Sequence, residues 1–232
     1  IGLFIYLVSF FINYSQTYMI IGVFIVGVAA WGFSQNPEQP GLALQRKRMI
    51  LRKNYWLFYF LTFMAGARRQ IFMAFAVFLL VKRFEYSVQE VTILFVVNNI
   101  IRYYLSPMIG KSIVRFGERG VLSLEYASLV IIFLAYAFTD SRVLAAFLYI
   151  LDHIFFSFAM AIKTYFQKVA DPRDIAPSMA VGFTINHIAA VVLPALGGCL
   201  WMLDYRIPFI AGACMSAVSL GAVQLIKIGK SP

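Results

Sequence analysis

Arg68-Arg69-Gln70 lies near the middle of one apolar stretch of this 232-residue chain, and Asn98-Asn99 with Arg102, Asp152-His153 and Asn186-His187 lie near the middle of three others. Arginine and amide side chains can grip the carboxylate or phosphate of a solute. A carboxylate or an imidazole can carry a coupled proton. Such groups are costly at bilayer depth unless they face a partner or water, so their shared depth marks a functional layer.

Each group also has a structural reading. Successive residues on a helix diverge by about 100°, so Arg68 and Arg69 need not enter the same space. One can bind substrate while the other pairs with Asp152 or with backbone carbonyls. Arg102 stands about two turns before Gly110 and can extend to an interface. Asn98, Asn99, Asn186 and His187 can serve as ordinary interhelical hydrogen-bonding groups. Three arginines against Asp152, with both histidines neutral, leave about two positive charges in excess, and an anion would relieve that cost.

The elements that position these residues follow from composition. The chain is 62% hydrophobic and 13% charged with a mean hydropathy of +0.81, whereas soluble domains carry about 25% charged residues. Apolar segments recur at 1–12, 18–33, 55–81, 89–109, 121–138, 143–166, 175–201 and 207–226. Most reach the ~20 residues a spanning helix needs. None shows the ~10-residue alternation of a membrane barrel. The expectation is an all-α, polytopic membrane helical bundle of about eight transmembrane helices.

The first segment would rise only about 18 Å against a hydrocarbon core of about 30 Å. With no initiator Met or basic region ahead of it, the chain is expected to be N-terminally incomplete rather than to begin with a signal peptide. The longest polar stretch, 34–54, contains Pro37, Pro40, Gly41 and the basic run from Arg46 to Lys53. It reads as a cytoplasmic linker between two helices (1–33) and six closely connected ones (55–232). Basic residues recur in alternate connections: Lys111, Arg115 and Arg119, then Lys168 and Arg173, then Lys227 and Lys230. By the positive-inside rule those connections and the C-terminus are cytoplasmic. The net charge of +10 is then an orientation signal and calls for no nucleic-acid partner. Trp31, Trp56 and Trp201 fall at predicted helix ends, as in an interfacial belt.

The connection at 110–120 reads Gly-Lys-Ser-Ile-Val-Arg-Phe-Gly-Glu-Arg-Gly. It resembles the signature of the major facilitator superfamily, which lies between the second and third helices of a six-helix half. Gly110, Arg115, Gly117 and Arg119 match, while Val114 replaces the usual aspartate and Glu118 an arginine. Those departures resemble the weaker second copy of the motif. The run from Pro172 to His187, continuing through Pro194, Gly197, Gly198 and Trp201, is similar to a group of bacterial facilitators, as is Gly66 to Phe72. The resemblance implies that segments three to eight are helices seven to twelve of a twelve-helix transporter in a bacterial inner membrane. Its seventh, eighth, tenth and eleventh helices would include those bordering the cavity.

The function expected is secondary active transport, proton-coupled, of a small anionic or polar organic solute. Arg68, Arg69, Gln70, Asn98, Asn99, Arg102, Asn186 and His187 are the candidate solute ligands, Asp152 and His153 the proton carriers, and Gly110, Arg115, Gly117 and Arg119 the conformational motif. The expected partners are the solute, protons, the lipid bilayer and a missing N-terminal half. No hydrolase, metalloprotease or phosphate-loop motif is present, and no cofactor or metal is called for. Cys199 and Cys214 read as ordinary buried thiols. Two alternatives stay open: a metal-ion carrier using Asp152, His153, Asn186 and His187, and a non-transporting receptor or assembly subunit.

Overall fold

A computed structural model describes residues 14–35 and 51–227, apart from the side chains of Tyr14 and Thr17. The segment 1–12 and most of the linker, 36–50, lie outside the described residues. The chain divides into two compact units, Ile1–Ala43 and Leu44–Pro232. The first contributes α1 (Tyr14–Ser34), apolar on every side.

The second unit is an all-α bundle with no strand among the described residues. Its five helices are long and apolar enough to cross a membrane: α2 (Lys53–Lys82), α3 (Val88–Phe138), α4 (Arg142–Val169), α5 (Pro172–Leu203) and α6 (Arg206–Val223). A helix closes its own backbone hydrogen bonds, which suits segments with almost no polar side chains to offer instead.

The 51-residue α3 is two helical arms that meet at Gly117. Helix therefore runs through most of 110–120, where the sequence reads as a loop. Polarity alone does not end a helix. Gly117 does, with φ 74° and ψ 160°, a conformation that only a residue without Cβ adopts cheaply. Two further interruptions carry no obvious sequence signal: a π-helical turn at Phe72–Ala76 in α2 and a 3₁₀ turn at Ser157–Ala159 in α4.

Tight turns tie the bundle at both ends. At one end Ser87 and Glu90 form a reciprocal capping box, Glu90 pairs with Arg142 at 2.6 Å and Arg83 pairs with Asp140. At the other, Arg52 pairs with buried Asp174 at 2.9 Å, Lys168 with buried Glu118 at 2.6 Å, and Arg119 donates twice to Gln224 Oε1. This second end carries the alternate-loop basic residues.

Between the ends the core falls into two apolar clusters. One gathers Phe72, Leu79, Phe133, Tyr136, Leu148 and Phe209. The other gathers Leu57, Leu61, Ile113, Leu122, Phe166 and Val223. Arg68 and Asp152 lie at the join, each between the stretches its helix gives to the two clusters, and Glu125 lies where the second cluster gives way to the first. α2 and α5 approach closely at glycines. A Cβ on Gly197 would lie 2.5 Å from the Phe75 ring, and one on Gly66 would overlap Asn186 Oδ1.

Candidate functional site

The adjacent polar pairs of the sequence part company in the fold. Arg68 is fully buried while Arg69 is exposed on an open cleft, and Asp152 is fully buried while His153 lines that same cleft. The cause is the 100° step of the helix: α2 and α4 each turn one polar residue into the bundle and the next toward the cleft.

The inward residues form a sealed cluster. Arg68 lies in electrostatic range of both Glu125 and Asp152, which also act on each other. Its guanidinium sits over the Tyr126 ring, 4.3 Å from the centroid, a cation–π contact. Among the described residues none of the three guanidinium nitrogens and none of the four carboxylate oxygens has a hydrogen-bond partner. Tyr136 and Tyr149 complete the surroundings of Asp152. Two carboxyl groups thus face one guanidinium, where the sequence pointed to a midplane excess of positive charge. That sum omitted Glu125. The signal for it was helical spacing: Glu118, Leu122, Glu125, Leu129, Ile132 and Tyr136 fall on one stripe, and all are buried.

The outward residues line a cavity of about 560 Å³ between α2, the first arm of α3, α4 and α5. Among the described residues its charged lining is Arg69, Arg102 and Lys163, with no aspartate or glutamate. Both Arg69 and Arg102 lie in electrostatic range of His153. The His153 ring is fixed by an Nδ1 contact to Tyr149 O at 3.2 Å and edge-on packing against Phe72 at 5.0 Å. Lys163, which is not among the residues expected from the sequence, faces the cleft on the stripe His153, Phe156, Ser157, Met160, Lys163. Asn186 also lines the cleft, with its buried Oδ1 against Gly66.

The remaining candidates spread out. Asn98 is buried, with both amide atoms unpartnered, beside Arg102, His153 and Ser157. Asn99 is exposed and donates to Phe95 O one turn back. His187 is exposed, contacts Phe183 O at 2.9 Å and lies outside the cleft lining. Gln70 is half-buried and also outside it. Of the motif residues, Gly117 makes the reversal of α3 and Arg119 binds Gln224. Arg115 lies over Phe116 with its guanidinium carbon 5.3 Å from the ring centroid, and Gly110 continues the helix. Cys199 and Cys214 are exposed rather than buried, because each occupies an outward position of its helix.

What brings these groups together is therefore one sealed, carboxylate-rich cluster and one open, cationic cleft, separated by the thickness of α2 and α4. Compared with protein-family models, with curated proteins and with solved structures, the chain matches none.

Proposed function

We propose that the chain is an integral membrane protein and forms part of a secondary transporter of the facilitator type, which moves a small anionic organic solute by alternating access, with a proton as coupling ion. The observation that carries this reading is the cleft: about 560 Å³, set among apolar helices, with three cationic side chains and no carboxylate among the described residues of its lining. Among the described residues none of the three cations has an ion-pair partner. Outside the cleft Arg52, Arg83, Arg142 and Lys168 each pair with a carboxylate, whereas the cleft cations are left open to an anion brought from outside.

The helix arrangement supports the same reading. Counting α3 as two, the second unit offers six spans. Those that line the cleft are the first, second, fourth and fifth, the counterparts of helices seven, eight, ten and eleven in a facilitator. The apolar perimeter, with Ile93, Val96, Ile100, Val191 and Val218 all exposed, suits lipid contact. With the end bearing Lys111, Arg115, Lys168 and Arg173 in the cytoplasm of a bacterial inner membrane, the orientation obeys the positive-inside rule.

Coupling falls to the sealed cluster. Two carboxyl groups against one guanidinium lack one positive charge, and a proton is the smallest species that supplies it. Arg69, Arg102 and Asn186 would hold the solute, while Asp152 and Glu125 would hold the proton on the inner side of the same helices. A metal-ion carrier has less support: His187 stands outside the cleft, and among the described residues no three His, Cys, Asp or Glu side chains gather as a metal site.

The test is uptake of labelled organic anions into liposomes containing the protein, driven by a pH step. Arg69→Gln and Arg102→Gln should each lower uptake at least about tenfold, the equivalent of one lost charge contact of about 1.4 kcal/mol. Uptake that is indifferent to both substitutions, or that is confined to cations, would overturn the proposal.

A further inference from the structure

The distribution of charge along the cleft bears on the solute itself. Arg69 and Arg102 gather around His153, at the level of the cluster join. Lys163 lies ten residues further along α4, roughly 15 Å of helical rise nearer the basic end of the bundle. Between the two poles the lining is mainly apolar or small: Thr62, Ala65, Phe156, Met160, Met179 and Gly182. A single carboxylate would satisfy the arginine pole and leave the lysine uncompensated. A compact polyanion would satisfy only one pole at a time, because long side chains reach across only part of that separation.

We infer that the solute is an organic dianion with an apolar middle, one anionic group held between Arg69 and Arg102 and the other by Lys163. This rests on the anion-transport reading of the same cleft and adds to it a length and a valence. The two arginines fix one carboxylate by forked, charge-assisted hydrogen bonds. Lys163, a flexible point charge, selects for a second negative group at a distance. Phe156, Met160 and Met179 remove the connecting chain from water, and Met side chains adapt to its shape.

The experiment is calorimetric titration of the purified protein in lipid nanodiscs with α,ω-dicarboxylates of graded chain length and with monocarboxylates of matched carbon count. A medium-length dicarboxylate should bind at least about tenfold more tightly than its monocarboxylate, with weaker binding on either side of the optimum length. Lys163→Met should remove that advantage by weakening the dicarboxylate far more than the monocarboxylate, Lys163→Arg should keep it, and Arg69→Gln should weaken both classes. Thermal unfolding of each variant reports its folding. Monocarboxylates binding as well as dicarboxylates, or Lys163→Met weakening both equally, would overturn the dianion while leaving an anion cleft in place. Absence of binding by every anion would contradict both the dianion and the transport reading beneath it.

Discussion

Arg68 and Arg69 are chemically identical, adjacent, and set in opposite worlds. Arg68 is sealed among Glu125, Asp152 and the Tyr126 ring, whereas Arg69 stands on an open cleft with Arg102 and Lys163 for company. The sealed arginine answers a need of the protein, because two buried carboxyl groups surround it. The open one answers a need that the protein leaves unmet. Position on the helix, and not residue type, decides which arginine stabilises the bundle and which is available to a ligand.

The sharpest way to break that contrast is to delete each charge in turn. Arg68→Gln strands two buried carboxyl groups and should cost about 3–5 kcal/mol, the range for removing one partner of a buried ion pair. Its thermal unfolding should fall steeply or the variant should fail to accumulate. Arg69→Gln should shift stability by no more than about 0.5 kcal/mol, as for other exposed substitutions. Equal effects of the two variants on unfolding would erase the distinction.

The next largest effect concerns the close approach of α5 to α2, the helix that carries both arginines. Gly197→Ala sets a methyl group 2.5 Å from the buried Phe75 ring, itself stacked on Trp201, and should cost about 1–3 kcal/mol by overpacking. Gly198→Ala, where a Cβ meets nothing within 4 Å, is its control and should be near neutral. Differential scanning of both in the same lipid distinguishes close helix approach from a general intolerance of that segment.

A smaller effect is expected inside the cluster. Glu125→Gln leaves one carboxyl group against one guanidinium, so stability should change by less than about 1.5 kcal/mol, while dependence of uptake on the pH gradient is lost. Glu125→Gln combined with Asp152→Asn strands Arg68 and should restore the large penalty of about 3 kcal/mol or more. That non-additivity is the signature of a shared charge site. The smallest effect lies at the basic end. Glu118→Gln breaks the pair with half-exposed Lys168 and should cost about 1 kcal/mol or less.

Much of the bundle was legible in the sequence because apolar runs about as long as a bilayer is thick have few alternatives to helix. The polar layer was legible too, since charged residues stand out against such runs. What the sequence could not display was direction. Asp152-His153 reads as one unit, yet each member faces a different region. Glu125 and Lys163 escaped attention for a related reason: each lies a turn or so inside the end of an apolar segment, where interfacial charges are common. Only the stripes they share with Leu122 and Leu129, or with His153 and Met160, betray their facing. The break at Gly117 was visible as a glycine within a polar stretch, but not as the sole departure from helix in α3. The π-helical turn beneath Arg69 had no sequence signal at all.

In the proposed transporter the open cationic cleft, and not the sealed cluster, receives an anion. The most direct test is the affinity of one organic dianion for the protein and for the Arg69→Gln/Arg102→Gln variant, measured by calorimetry in the same nanodiscs. An anion held in the cleft should lose affinity by at least about a hundredfold, two contacts of about 1.4 kcal/mol each, with the unfolding temperature unchanged. Undiminished affinity in a folded variant would contradict that role of the cleft.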